Sequence, residues 1–195
     1  MCHVLKSDKY KERVDLFCLI WRQCPGLHVQ NGESMNDIKY KPIGIIHSPF
    51  KEPKGTPIQP TGAEGINGTV EVFPEYAEGL KDIEGFSHII LLYHFHLAKG
   101  AALIAKPYMD SEAHGVFAMR GPRRPNPIGV SVVRLVRVEG NMLHIQDVDI
   151  VDGTPLLDIK PYVPEFDIRE VAKIGWLGKN VHKLSASRDD GRFTD

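Results

Sequence analysis

Apolar and polar positions alternate with a period of two through most of this chain, in short runs punctuated by proline and glycine. The most apolar run is Phe86–Leu97. Successive side chains of a strand point to opposite faces. Ile89, Leu91, Tyr93, Phe95 and Leu97 then share one apolar face, and His88, Ile90, Leu92, His94 and His96 share the other. The run is expected to be a central strand, buried over most of its length. Ile128–Val138 is a second strand, with Ile128, Val130, Val132, Val136 and Val138 on one face. Gly140-Asn141 is a hairpin signal, after which Met142–Ile150 returns as the partner strand. Tyr40–His47 and Thr69–Phe73 read as shorter strands, and Gly115–Met119 as one that delivers Arg120. Asn67-Gly68 reads as a turn, and Pro74–Leu80 as a helical turn started by proline. No helical pattern alternates with the strands, which argues against a doubly wound parallel sheet. The expected fold is mainly β: a small closed or partly open β-barrel, with short helices in the connections.

Both ends differ from this pattern. Tyr10–Gln23 spaces Val14, Phe17, Cys18 and Trp21 as an amphipathic helix would, and Asn31–Ser34 reads as linker. Residues 1–34 are therefore expected to lie outside the core, with the barrel domain at 35–166. Residues 167–195 form a tail; its polar end, Lys179–Asp195, is expected to fray.

Composition adds limits. A net charge of -1 means that any basic, nucleic-acid-binding surface must be local. The three cysteines, Cys2, Cys18 and Cys24, form no disulfide framework and no Cys-x-x-Cys pair, which points to a reducing, cytoplasmic setting. No apolar run is long enough to cross a membrane.

Candidate chemistry concentrates in Arg120-Gly-Pro-Arg-Arg-Pro-Asn-Pro-Ile-Gly-Val-Ser131. Its prolines fix φ and remove amide donors, so the stretch is a stiff loop that presents guanidinium groups. It reads either as a preorganised anion site or as a rigid exposed turn. His94 and His96 lie two apart on one strand face, a spacing that metal sites use. No cysteine or acidic cluster accompanies them, so no metal is expected. Val151–Tyr162 gathers Asp152, Asp158 and Lys160 around a Gly-Thr-Pro turn, either a ligand-reading turn or a solvated one.

Five ordered segments carry a resemblance: Ile43–Pro49, Pro57-Ile-Gln-Pro60, Phe86-Ser-His88 through Phe95-His96, Arg120–Ser131, and Asp152–Tyr162. From about Ile38 to about Phe166 the chain resembles the TsaA-like/TrmO family of tRNA methyltransferases. The resemblance implies a β-barrel that forms a homodimer. It also implies methyl transfer from S-adenosyl-L-methionine to the N6 atom of a threonylcarbamoyl-adenosine beside a tRNA anticodon. Carried over by position, the cofactor site would use Pro57, Ile58 and Gln59, then His96 and Leu97, Arg120 and Val130, and Asp152, Gly153, Thr154 and Pro155. His96 and Asp152 are the candidate bases, and Arg123 and Arg124 are left to meet RNA. The alternative from another class is a non-catalytic RNA- or nucleotide-binding β-barrel.

Overall fold

A computed structural model describes residues 38–193. The expected helix at Tyr10–Gln23 and the three cysteines lie outside these residues. By packing, the chain divides into Met1–Lys39 and Tyr40–Asp195, and the second unit carries everything below.

Six strands close into an antiparallel barrel in the order β1-β2-β7-β6-β3-β8. They are β1 (Gly44–His47), β2 (Asn67–Val72), β3 (His88–His94), β6 (Ile128–Glu139), β7 (Met142–Gln146) and β8 (Thr154–Pro161). A separate two-stranded sheet pairs β4 (Ile104–Ala105) with β5 (His114–Gly115). Ile46, Val70, Ile89, Leu91, Val133, Leu143, Ile145 and Leu156 fill the barrel and are all but solvent-free. Fully burying such a side chain is worth about 1.5–3 kcal/mol.

The face of β3 assigned to the core is the buried one, through Ile89, Leu91 and Tyr93. Its other face is only half covered, so the strand is not buried on both sides. On β6 the expectation turns round. Gly129, Ser131, Val133 and Leu135 point inward, while Ile128, Val130 and Val136 stand exposed on the outer face. The β-branched row misled because this strand gives its inner face partly to small residues. A bulge between Leu135 and Arg137 then shifts the alternation.

Other departures also have local causes. Asn67-Gly68 lies inside β2, paired with Gln146 and Ile145, rather than in a turn. Gly115–Met119 is strand only at its start; a 3-10 turn, Val116–Ala118, delivers Arg120. The partner strand β7 stops at Gln146, where Asp147 takes a positive φ of 69°. The Gly-Thr-Pro segment is not an isolated turn: Thr154 opens β8, which pairs with both β1 and β3 and so closes the barrel. The hairpin at Gly140, φ 62°, is as read.

The tail does not fray over its described length. Two 3-10 turns, Gly175–Lys179 and Val181–Ala186, pack it back on the barrel unit. Trp176 stacks on His114 at 4.7 Å between ring centroids and 11° between planes. Its Nε1–H donates to the Ala118 carbonyl at 2.8 Å. Gly55 N–H donates to Asp189 O at 2.7 Å, and Asp189 N–H to Thr56 O at 2.8 Å. Phe193 is buried, edge-on to Tyr108. One buried aromatic ring and a pair of backbone bonds anchor an otherwise polar segment that apolar periodicity alone would miss.

Candidate active site

A cavity of about 240 Å³ opens at one end of the barrel. Strand ends supply one wall and three loop segments the other. From β3 and its exit come Tyr93, Phe95, His96 and Leu97; β6 supplies Ile128, Gly129 and Val130; β8 supplies Thr154. Pro57, Ile58 and Gln59 come from the proline loop, and Met119, Arg120 and Arg124 from the arginine-proline loop. The tail adds Asp189 and Phe193.

Eight of the expected cofactor residues thus line one cavity: Pro57, Ile58, Gln59, His96, Leu97, Arg120, Val130 and Thr154. Arg120 Nη1 donates to Gln59 Oε1 at 2.9 Å, and Gln59 Nε2 donates to Ile58 O at 2.7 Å. These two bonds fix the orientation of the Gln59 amide and tie the two loops together. Thr154 Oγ1 donates its one hydroxyl proton to Val151 O at 2.7 Å. The 3.3 Å contact between Thr154 Oγ1 and His96 Nδ1 is therefore a bond in which Nδ1–H donates. This assigns the His96 tautomer and leaves Nε2 as the proton-accepting nitrogen. Burial, and then the neighbouring His94, hold the His96 pKa below its ordinary value. The ring is neutral at physiological pH.

Asp152, Gly153 and Pro155 do not line the cavity. The Asp152 carboxylate is already engaged, accepting from Lys51 Nζ at 2.7 Å and from Ser48 N–H at 3.0 Å. Lys51 is the main cause of its lowered pKa, with the Ser48 N–H second. Asp152 N–H and Gly153 N–H donate to Phe50 O and Ile46 O at 2.7 and 2.9 Å. The Asp152 turn thereby locks the exit of β1 and sets where β8 begins. Arg124 is not a freely projecting cation. Its Nη1 donates to Val116 O at 2.9 Å and to Met119 O at 2.8 Å, and its guanidinium lies 5.9 Å from the Phe117 ring centroid. Arg123 lines a separate surface pocket together with Ala102, Ile104 and Lys106 rather than this cavity.

Three residues of this wall, Tyr93 on β3, Ser131 on β6 and Asp149 in the β7–β8 connection, were given no site role from sequence. Tyr93 OH lies 3.1 Å from Ser131 Oγ, and Ser131 Oγ donates to Asp149 Oδ1 at 2.6 Å. Because Ser131 gives its proton to Asp149, the Tyr93 hydroxyl donates to Ser131. Asp149 is half-buried, and desolvation of its carboxyl pushes its pKa up to about 7. Burial and the nearby Asp149 charge raise the Tyr93 pKa. Gly129 is directly opposite Tyr93 in the β3–β6 register, and a Cβ at Gly129 would collide with the tyrosine ring. Sequence offered one signal for Asp149: it is an acid between two apolar residues, Val148 and Ile150, both buried in the structure.

Comparison with known proteins decides the family. Residues 45–168 match the model of the tRNA-methyltransferase O N-terminal domain. The chain belongs to the TrmO family. A Pyrococcus abyssi relative, named "Probable S-adenosyl-L-methionine-binding protein", is 72% identical over 156 residues, 80% of this chain and 85% of that protein. The mouse tRNA (adenine(37)-N6)-methyltransferase is 34% identical over 165 residues, 81% of this chain but 38% of the mouse protein. A crystal structure of TrmO from Pseudomonas aeruginosa superposes with a TM-score of 0.63 at 39% identity, over 74% of this chain and 63% of that one. The chain thus spans less than two thirds of the solved TrmO structure. Among the described residues no helix is long and apolar enough to cross a membrane, and no group of three or more His, Cys, Asp or Glu is placed to hold a metal ion.

Proposed function

We propose that this TrmO-family chain is an S-adenosyl-L-methionine-dependent tRNA methyltransferase that methylates N6 of threonylcarbamoyl-adenosine beside the anticodon. The observation that carries the reading is the convergence of the proline loop, the β3 exit, Arg120 and Thr154 on one cavity. When bound, S-adenosyl-L-methionine supplies a methyl group already activated on a cationic sulfonium. The residues present suit such a ligand. Ile58, Leu97, Met119 and Val130 give apolar walls, Asp149 and Asp189 give carboxyl groups for its positive charges, and Arg120 gives a guanidinium for its carboxylate.

The work left to the protein is alignment and removal of one proton. The tied amide of Gln59 and the guanidinium of Arg120 form a fixed polar rim. His96 faces the cavity neutral, with Nε2 as the basic nitrogen, and is placed to accept the proton that the N6 atom must lose. Between the two base candidates the geometry favours His96, because Lys51 and Ser48 already hold the Asp152 carboxylate. RNA would approach over the loop wall. Arg123 and Arg124 would act there chiefly by holding the loop in shape, with the exposed Arg120 nearest the entering nucleotide.

The chain is also proposed to act as a homodimer, with a second copy covering the outer face of β3 and β6. Val130 and Val136 are 47% and 52% exposed there, and Ile128 lies beside them. Because Ile128 and Val130 also line the cavity, a second copy on this face would border the site. Sedimentation at micromolar concentration should give twice the chain mass; a monomer would remove this part.

The substrate is tested with labelled S-adenosyl-L-methionine and tRNA with or without the threonylcarbamoyl group. Label should enter modified tRNA alone. Equal labelling of both would move the target elsewhere on the RNA, and labelling of neither would end the tRNA reading.

A further inference from the structure

The cavity wall contains a carboxyl group that the proposed proton transfer does not use. Asp149 lies between the barrel-filling residues Val148 and Ile150. Its side chain is packed into the wall while the residue still borders the cavity. The hydrogen-bond chain Tyr93 O–H to Ser131 Oγ–H to Asp149 Oδ1, at 3.1 and 2.6 Å, aims two donors in series at one carboxyl oxygen. Such an arrangement holds the carboxyl in place and supports negative charge on it. The tight fit of Tyr93 over Gly129 sets the height of that chain in the barrel.

A desolvated carboxylate needs a compensating cation or it holds its proton. The groups facing Asp149 are the Tyr93 hydroxyl from β3, the Ser131 hydroxyl from β6 and the Arg120 guanidinium from the loop. His96, Arg124 and Asp189 border the same cavity. Arg120 is exposed and bonded to Gln59, and Arg124 is bonded to two carbonyls. His96 is neutral. The other cavity carboxylate, Asp189, belongs to the tail and accepts Gly191 N–H at 2.7 Å. Asp149 is therefore an anionic position in the β7–β8 connection, held by its core-packed flanks Val148 and Ile150 and by the Ser131 hydroxyl of β6, and the protein's own cations compensate it incompletely. Its pKa, pushed up to about 7, is the consequence.

We propose that Asp149 is the counter-charge of the methyl-donor pocket, through which the site prefers a cationic sulfonium over the neutral thioether left after transfer. The inference rests on the S-adenosyl-L-methionine reading of this cavity, but not on the identity of the RNA. A positive charge brought beside Asp149 drives off its proton, so binding of the donor is coupled to proton release. The thioether product has no charge at sulfur and leaves the carboxyl protonated. The Ser131 and Tyr93 chain stabilises the ionised form that the donor selects. Loss of the sulfonium charge weakens the hold on the product and favours exchange for fresh donor.

The test is isothermal titration calorimetry of the whole chain at pH 6 with S-adenosyl-L-methionine and with S-adenosylhomocysteine, each in two buffers of different ionisation enthalpy. The two ligands differ by one methyl group and one positive charge, so protonation common to both cancels. Donor binding should release most of one proton and product binding close to none, with the donor bound about tenfold tighter, the fold-change expected at pH 6 when the donor takes the Asp149 pKa from about 7 down to about 5. Asp149→Asn should abolish the difference in proton release and weaken the donor about tenfold, leaving the product unchanged. Ser131→Ala keeps the carboxyl but removes its donor, so proton release should persist and extend to higher pH. Equal proton release for the two ligands in the unaltered protein would overturn the proposal without any variant. So would an Asp149→Asn protein that weakens both ligands alike. Failure of both ligands to bind would remove the cofactor reading together with this inference. Binding of both with no methylation of tRNA would instead leave the inference standing and remove only the RNA substrate.

Discussion

The two walls of the cavity are built by different means. On the barrel wall, Tyr93, Gly129, Ser131 and Thr154 are held by strand register, and Asp149, in the β7–β8 connection beside them, by its buried flanks. Their polar groups bond to one another or to neighbouring carbonyls. On the loop wall, Pro57–Gln59, Arg120, Arg124 and the tail residues Asp189 and Phe193 are held by cross-ties between segments far apart in sequence. The barrel wall cannot move without breaking the sheet, whereas the loop wall can open tie by tie. The contrast is one of means: the barrel fixes charge and hydrogen-bond direction, and the loops and tail complete the lining through individual ties.

The contrast is tested hardest at Gly129. A valine there meets the buried Tyr93 ring, which packs directly against the Gly129 backbone. Overpacking of this kind costs about 1–3 kcal/mol. Gly129→Val should lower the urea midpoint by a corresponding amount and also displace the Ser131–Asp149 pair. Valine at Gly153, where φ is 75° but no atom lies within 4 Å of an added Cβ, should show backbone strain without disturbing that pair. If Gly129→Val folded as stably as the unaltered protein, the barrel wall would be softer than argued.

This difference also explains what was legible in the sequence. Period-two alternation marked β3 and the inward row Ile89, Leu91 and Tyr93, because that face is uniformly apolar. It misplaced the inner face of β6, because Gly129 and Ser131 are inward for reasons of fit and hydrogen bonding that hydrophobicity does not record. It missed β8, whose proline, aspartate and lysine hide a strand that closes the barrel. Arg120, Gln59 and His96 were found as a group because their motifs resemble a family, and eight such positions share the cavity. Asp149 carries no motif, and its significance lies in burial and in partners 18 and more residues away. The tail was unreadable because its anchors are single residues, Trp176 and Phe193, rather than a periodic face.

A smaller effect should separate the walls by pH. The folded Asp149 pKa of about 7 lies above the usual unfolded value of about 3.9. A raised pKa means that the native state binds the proton more tightly. Its stabilising contribution is complete below about pH 4 and is lost as pH rises through about 7. The depressed carboxylates Asp110, Glu139, Asp152 and Asp190 act in the opposite direction, their contributions being lost as pH falls through their lowered values. Between pH 4 and pH 7, Tm of the unaltered protein should therefore fall relative to that of Asp149→Asn. Parallel curves would mean that the carboxyl is better compensated than its surroundings indicate.

The smallest effect is expected at Trp176, on the loop wall. Its ring stacks on His114 and its Nε1–H bonds to Ala118 O, just before the Met119–Arg120 segment that borders the cavity. The ring is only half-buried, so removing it takes little from the barrel core. Trp176→Ala should leave Tm within a few degrees of the unaltered protein. The tail would then be docked for a smaller fraction of the time, and apparent donor affinity falls in proportion to that fraction. If docking fell to a third, affinity would fall about threefold, with faster amide exchange confined to residues 181–193 and to Gly55, whose N–H donates to Asp189 O. The paired outcome is what matters. Faster exchange with unchanged affinity would make the tail a cover that the ligand ignores, whereas lost affinity with faster exchange throughout the barrel would show that the two walls are one cooperative unit.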